Sequence, residues 1–411
     1  MTECASPSPR LTYAVDLDNT LNRAWGKGYD DYVPYAKAIK KVNALFDAGH
    51  HIKVFTGRGS GSGKDWQDLT IQQLAQWGVR YHELILGKPA ADVFIDDKAL
   101  NVCDWLGEPE PQLIAIVGAK GTGKSTLRQF FEGKGFAAIK NEDYYVKQSR
   151  AHPQRDIHND ESILDAIYRE AESDLRSALT NQRLVVYEAT GTNPRWHAIM
   201  TGIKRDCNVW TVKVTASQSD ERLHKRDNSD HYLGTGAHIA EVKRLAQTIE
   251  PDDTLTNDGT VAQLYIQAEG TYRRMNGGVL VATGGGFDPV HVGHIELFER
   301  SRQYGTTLAV ILNTDNWLVK KKGYAFMPFD ERKKCLEALK SVDVVIPSVD
   351  TDSSISETIK LLRPNIYTKG GDRHGTSEQE ACDAIGCKLV SGLGAKIQSS
   401  SKLVESVSGG R

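Results

Sequence analysis

Residues 113–125 read Leu-Ile-Ala-Ile-Val followed by Gly118-Ala119-Lys120-Gly121-Thr122-Gly123-Lys124-Ser125. Five consecutive apolar residues predict a strand buried on both faces. Three glycines then let backbone N–H groups turn inward onto an anion. The helix expected to start at Lys124 adds its positive end to the same point. At this spacing Lys124 reaches the β- and γ-phosphates of a nucleoside triphosphate and Ser125 reaches Mg²⁺. Gly118, Gly121, Gly123, Lys124, Ser125 and Thr126 are therefore candidate nucleotide-binding residues. A strand, a glycine turn and a helix in register also predict a parallel α/β sheet.

Two further segments place reactive side chains directly after an apolar strand. In LTYAVDLDNTL (11–21), Asp16 ends a strand and Asp18 follows two positions later. Alternation puts both carboxylates on one face. Such a pair can hold Mg²⁺, or one member can attack phosphorus while the other moves a proton. Taken alone, the pair also fits an Asx turn at a strand end. Downstream, HIKVF leads into Thr56, LILGKP carries Lys88, and DVFI ends at Asp96-Asp97. A carboxylate pair, a hydroxyl, a lysine and a second carboxylate pair, each at a strand end, make up a set suited to phosphoryl transfer. In the other segment, GGVLVATGGGFDPVHVGH (277–294), a glycine-rich turn with Gly285 and Phe287 leads to His291 and His294 at a helix start. Residues three apart face one direction. These rings can donate to a phosphate without a metal, and the motif lacks the Glu of a zinc-binding HExxH.

The first segment resembles the haloacid-dehalogenase (HAD) phosphatases over residues 10–106. The wording QWGVRYHELILGKPAADVFIDDKALN is most like small phosphatases of capsule biosynthesis. That resemblance implies Asp16 as nucleophile, Asp18 as general acid/base, Thr56 and Lys88 as phosphate ligands, and Asp16, Asp18 and Asp96 or Asp97 at Mg²⁺. The intervals Asp16–Thr56 and Thr56–Lys88 leave no room for a large cap domain. The middle segment resembles small-molecule P-loop kinases of the nucleoside, gluconate and zeta-toxin type. There Asp143 follows the second strand where such kinases carry an acceptor-activating carboxylate. Glu188 ends the third strand, and Arg222 and Arg226 lie at i, i+4 to close over phosphate. The last segment resembles the HxGH nucleotidylyltransferases over residues 278–407. The resemblance implies His291 and His294 at the transferring α-phosphate, Lys322 and Arg332 neutralising phosphates, and Ser399, Ser400 and Ser401 capping a helix that faces the triphosphate. Lys369-Gly370-Gly371-Asp372 is closest to the adenylyltransferase domain of ADP-heptose synthesis, with glycerol-phosphate cytidylyltransferases as near relatives. Lys369 and Asp372 join the nucleotide-binding candidates, as do Gly285 and Phe287 of the glycine-rich turn and Arg222 and Arg226.

Composition narrows the partners. Lys and Arg number 51 and Asp and Glu 53, a net charge of -2. A protein that coats nucleic acid usually carries a basic excess, so nucleic acid is disfavoured. No run approaches the ~18 apolar residues of a membrane span, and MTECASPSPR lacks a signal-peptide core. The six cysteines, at 4, 103, 207, 335, 382 and 387, are spaced like reduced thiols, which suits the cytoplasm. GEPEPQ (107–112) and EGTYRRMNGG (269–278) read as linkers.

The expected architecture is α/β: three Rossmann-like parallel-sheet domains in tandem. After a tail over 1–10 come a HAD-like domain (11–107), a P-loop kinase domain (112–268) and a nucleotidylyltransferase domain (277–408). The combination implies a multifunctional enzyme making a nucleotide-activated sugar or polyol phosphate for surface glycan. Its expected cofactors are Mg²⁺ and ATP, with CTP as the alternative for the last domain. Its partners are a phosphorylated small molecule and an NTP, and homo-oligomerisation is left open. Two other assignments suit subsets of the sequence. Phosphatase followed by kinase resembles the domain order of polynucleotide kinase-phosphatase, which heals nucleic-acid ends. Kinase plus nucleotidylyltransferase suits NAD or coenzyme salvage.

Overall fold

The structure is a computed structural model. It describes residues 10–23, 29, 32–89, 105–106, 111–204, 207–224, 236–352, 354–371, 376–393 and 400. Asp96, Asp97, Arg226, Asp372, Ser399 and Ser401 lie outside the described residues. The protein forms two compact units, Met1–Pro111 and Gln112–Arg411. Among the described residues no helix is long and apolar enough to cross a membrane.

In the first unit the strands are β1 (Thr12–Asp16), β2 (Asn22–Arg23), β3 (Val33–Pro34), β4 (His51–Thr56) and β5 (Glu83–Leu86). The helices are α1 (Ala36–Asp47) and α2 (Gln67–Gln76). The parallel sheet runs β1-β4-β5, and β2 and β3 form a separate antiparallel ribbon. On β4, Ile52, Val54 and Thr56 alternate inward. With Val15, Ile52 and Val54 meet Ala38 and Val42 of α1 and Leu74 of α2 in one core. The register pairs Asp16 with Phe55 and Thr56 with Leu86, so Asp16, Thr56 and the segment leading to Lys88 emerge at one edge.

The second unit holds two five-stranded parallel sheets. The first has β6 (Gln112–Val117), β7 (Ala137–Lys140), β8 (Leu184–Glu188), β9 (Asn208–Thr215) and β10 (Asp253–Thr256), in the order β10-β9-β6-β8-β7. Its helices are α3 (Lys124–Gly133), α4 (Asn141–Ala151), α5 (Glu161–Gln182), α6 (Pro194–Ile203), α7 (Ser219–His224), α8 (Gly236–Gln247) and α9 (Val261–Arg274). The strand β6 is buried along its whole length, as its unbroken apolar run requires. The second sheet has β11 (Leu280–Gly285), β12 (Thr307–Leu312), β13 (Val344–Pro347), β14 (Ile366–Thr368) and β15 (Lys388–Val390), in the order β13-β12-β11-β14-β15. Around it lie α10 (Val292–Arg302), α11 (Asp315–Lys322), α12 (Phe329–Glu337), α13 (Ser356–Leu362) and α14 (Thr376–Ala384). Alternate residues of β12 serve two cores: Ala309 and Ile311 pack with Ile359 and Leu362, whereas Leu308, Val310 and Leu312 pack with Phe298 and Leu336. In each sheet the strand carrying the motif lies centrally, and the strand order reverses beside it. This switch point is where ligands of open α/β sheets bind, beyond the carboxyl ends of the strands.

The stretch 269–278 is not a linker. Residues 269–274 complete α9, which a Thr260–Gln263 capping box starts. Helix α9 buries Leu264 and Ala268 in the core of the first sheet and Ile266 in that of the second. A Cβ at Gly270 would lie 2.0 Å from the Leu362 carbonyl oxygen, so glycine permits α9 to touch the end of α13. Arg274 donates to the carbonyls of Leu362 and Arg363 and to Asp253, and Arg363 donates to Asp253 at 2.8 Å. The polar composition that suggests a linker belongs to this set of ion pairs and carbonyl contacts.

Candidate functional sites

At the strand-end edge of the first unit, Lys88 Nζ donates to Asp16 Oδ2 at 2.9 Å. Burial pushes the Asp16 carboxyl above the usual carboxylate range, and Lys88 opposes that shift. Asp18 accepts from Thr56 Oγ1 at 2.9 Å, from Asn22 Nδ2 at 3.0 Å and from the Arg58 guanidinium at 2.8 Å. Arg58 is buried, also donates to Thr70 and Gln73, and stacks 4.6 Å from the Tyr29 ring centroid. The structure thus brings Asp16, Asp18, Thr56 and Lys88 together. Arg58 has no part in the sequence reading. The available signal is a guanidinium two residues after Thr56, where the end of an inward-facing strand carries it into the interior.

In the second unit the backbone after β6 turns through Gly118, Gly121 and Gly123 at φ of 144°, 81° and 98°. Gly123 is decisive, because a Cβ there would lie 2.0 Å from Asn257 Nδ2. That amide donates to the Thr122 carbonyl at 2.9 Å, and Arg222 donates to the Asn257 carbonyl at 2.8 Å. Arg222 thereby braces the glycine loop from behind Asn257. Lys124 Nζ donates to the Ala119 carbonyl at 2.8 Å, and Thr126 follows partly buried on α3. Ser125 Oγ donates to Glu188 Oε1 at 2.7 Å, and Arg128 Nε to Glu188 Oε2 at 2.9 Å. Glu188 has no assigned role in the sequence reading; its position at the end of β8, beside β6, brings it to Ser125.

Beyond this loop lies a cavity of about 320 Å³, lined by Lys120, Lys124, Ser125 and Glu188 on one side. The segment around Asp143 is the first turn of α4 rather than a loop. Asp143 is exposed and is not among the cavity-lining residues, whereas its neighbour Glu142 is. Successive helical side chains point about 100° apart, so one of the two faces the cavity and the other leaves it.

In the last sheet, β11 ends at Gly285 and the backbone reverses through Phe287, at φ 46°. His291 and His294 stack at the N-terminus of α10, with ring centroids 3.7 Å apart and planes 18° apart. The buried Phe287 ring meets His294 edge-on at 4.9 Å. Burial, then the charge of Lys322, push the His291 imidazole below its usual value. Lys322 Nζ donates to the Asp288 carbonyl at 3.3 Å, so this cation stands at the histidine turn. Ser400 also reaches the turn, donating to the Pro289 carbonyl at 3.0 Å. Arg332 is fully buried; it donates to the carbonyls of Gly286, Asn313 and Met327 and to Asp315 at 2.6 Å. A guanidinium so occupied holds the turn. Lys369 is ion-paired with Glu378 at 3.2 Å.

Comparison with known proteins places this geometry. The cytidylyltransferase-like family model matches residues 282–392. The glycerol-3-phosphate cytidylyltransferase of Bacillus subtilis is 30% identical over 131 residues, 31% of this chain and 97% of that protein. The chain belongs to the cytidylyltransferase-like family. This cytidylyltransferase-like protein also matches an AAA domain model over residues 113–251. The bifunctional protein HldE of Aliarcobacter butzleri is 39% identical over 99 residues, 23% of this chain and 20% of that protein. Among the HldE relatives the chain spans between 20% and 33% of the relative's length. The solved APS kinase CysC of Mycobacterium tuberculosis, in complex with AMPPNP and APS, is similar at 17% identity and a TM-score of 0.29, over 40% of this chain and 96% of that one.

Proposed function

We propose that the protein is a multifunctional enzyme whose last domain joins an NTP to a sugar or polyol phosphate, releasing pyrophosphate, in the making of surface glycan. The observation that carries this reading is the stacked His291–His294 pair at a helix N-terminus on the switch point of the last sheet, with Lys322 beside it. An acceptor phosphate is already nucleophilic, so the barrier lies in charge. As the acceptor oxygen closes on the α-phosphorus, negative charge grows on its oxygens. Preorganised donors at that point lower the barrier more than a general base would. The histidines donate to that oxygen density, the helix dipole adds to them, and Lys322 offsets the β- and γ-phosphates. ATP is the nucleotide we favour, on Lys369-Gly370-Gly371-Asp372, with CTP as the alternative.

The P-loop domain supplies phosphorylation, with Lys124 at the β/γ-phosphates. The first unit supplies phosphate-ester hydrolysis through an aspartyl-phosphate on Asp16, with Asp18 as acid/base and Thr56 and Lys88 holding the phosphate. Oxygen-only donor sets suit Mg²⁺ in both places: Ser125 beside Glu188, and Asp16 with Asp18. Bound there, the ion offsets phosphate charge. Kinase turnover of Asp143→Asn against Glu142→Gln decides which carboxylate in the first turn of α4 takes the acceptor proton. The loss should fall on one of the two, and equal rates in both would remove the carboxylate base from the mechanism. Pyrophosphate release across four NTPs with sugar 1-phosphates and glycerol phosphate tests the transfer. Release with none of them would defeat this reading.

A further inference from the structure

The residues that line the cavity beyond the glycine loop fall into two chemical groups. Among the described residues its lysines are Lys120 and Lys124, both on the loop, where the triphosphate would lie. No arginine is among the described residues that line it. Arg195 follows the cavity's Pro194, yet it is ion-paired outward with Asp165 at 2.7 Å and with Glu161.

The rest of the wall carries carboxylates and neutral hydrogen-bonding groups. Glu142 and Glu241 contribute carboxylates, and Glu241 is ion-paired with Arg244 at 2.6 Å. Tyr187 donates to Asn141 at 2.7 Å, Asn141 donates to Tyr168 at 3.4 Å, and Tyr145 donates to Tyr168 at 3.3 Å. Of these four, Asn141, Tyr145 and Tyr168 line the cavity, so a fixed run of amide and hydroxyl groups borders it. His158 and His238, from separate segments, stack at 3.6 Å and line it as well. Burial, the neighbouring His238 and Lys120 hold the His158 imidazole down at about 4, and burial and Lys120 lower His238. At neutral pH both rings are uncharged and offer a donor and an acceptor, not a cation. Leu164, Val242 and Leu245 complete the wall with apolar surface.

A phosphorylated acceptor placed against this wall would bring two negative charges to Glu142 and to Glu241, whose Arg244 partner is already engaged, while the lysines that line the cavity belong to the triphosphate loop. Like-charge juxtaposition of that kind costs several kcal/mol. Hydroxyl groups meet the tyrosine, asparagine and imidazole groups without that penalty, and the C–H faces of a sugar ring or polyol meet the aromatic and aliphatic surface. We propose that the acceptor end of this cavity takes an uncharged, hydroxyl-rich molecule, a sugar or polyol carrying no phosphate. The inference rests on the kinase reading of the P-loop domain and makes this domain the source of a phosphomonoester. The γ-phosphoryl group of ATP passes to an acceptor hydroxyl. The P–O bond to ADP breaks, a new P–O bond forms, and the hydroxyl proton passes to the carboxylate in the first turn of α4 and on to solvent.

The test uses the full-length protein with ATP and Mg²⁺ and follows initial rates of ADP formation. Pyrophosphate from nucleotidyl transfer and phosphate from ester hydrolysis do not enter that readout. Glycerol, ribitol, hexoses and heptoses are compared with their monophosphates, with nucleosides and with 5′-hydroxyl oligonucleotides. The unphosphorylated sugar or polyol should exceed its own monophosphate in kcat/KM by at least about 10²-fold, and Lys124→Ala should remove the activity. Preference for a monophosphate, a nucleoside or an oligonucleotide, still abolished by Lys124→Ala, overturns the acceptor assignment and leaves the kinase reading standing. If no compound raises ADP formation above the rate with ATP alone, the kinase reading falls and the inference falls with it.

Discussion

After β6 the backbone turns through three left-handed glycines, and the anion-receptive surface is the backbone itself. After β11 it turns through Phe287 and delivers two imidazole rings instead. Both turns sit at the carboxyl end of a central parallel strand, and both need a brace. In the first the brace is Asn257, tied to Thr122 and held by Arg222. In the second it is Arg332, buried among the carbonyls of Gly286, Asn313 and Met327. A backbone site depends on which residues lack a Cβ, so its tolerance to substitution is set inside the loop. A site made of side chains depends on what holds the turn from behind, so its tolerance is set a helix away.

The largest expected effect breaks that comparison where it is least expected. Arg332→Leu leaves buried carbonyls without donors, and removing one partner from such a buried charged network costs about 3–5 kcal/mol. Thermal and denaturant unfolding should register that loss, and Arg332→Lys should recover only part of it. Unchanged stability with a raised KM for NTP would return Arg332 to the phosphate.

Next come the reactive side chains. His294→Ala should lower nucleotidyl transfer by about 10²–10³-fold, with NTP affinity falling less, and should leave ADP formation intact. Lys124→Ala should do the reverse, to a similar degree. Steady-state assays of both activities on both variants check the separation. A smaller effect should follow Gly123→Ala. Its φ of 98° and the contact with Asn257 predict strain of about 1–3 kcal/mol. This should appear as weaker ATP binding by calorimetry, with nucleotidyl transfer unaffected.

The smallest effect is one of pH. His158 is lowered to about 4 in the fold, so the unfolded protein binds more protons between about 4 and its ordinary value of 6.5. Stability should therefore fall as pH drops through that window, and the melting temperature should begin to decline between pH 7 and 5. His158→Asn should flatten the early part of the decline. An equal decline in the variant would assign it to other groups.

Much of this was legible in the sequence because strand ends and glycine spacing are local properties. An apolar run followed by Gly-x-x-Gly-x-Gly-Lys-Ser fixes where the loop, Lys124 and Ser125 stand. The Asp16–Lys88 and Asp18–Thr56 contacts follow from parallel strands delivering their last residues to one edge. What was not legible depends on packing between distant segments. Charge alone does not separate Arg332 facing a phosphate from Arg332 facing carbonyls, since a guanidinium suits both. Glu142 and Asp143 are adjacent, and only the rotation of α4 chooses which one meets the cavity. The polar stretch 269–278 resembles a linker because Arg274 is satisfied by Asp253 and the end of α13, the latter far away in sequence, and Glu269 by Lys134 and Arg273.

Pyrophosphate release by the full-length protein, measured with each of four NTPs against a panel of sugar phosphates and glycerol phosphate, tests the central claim most directly. Release is expected with ATP or CTP and one acceptor class, reduced by at least about 10²-fold in His294→Ala. No release with any pair, or release as fast in His294→Ala as in the parent, would contradict it.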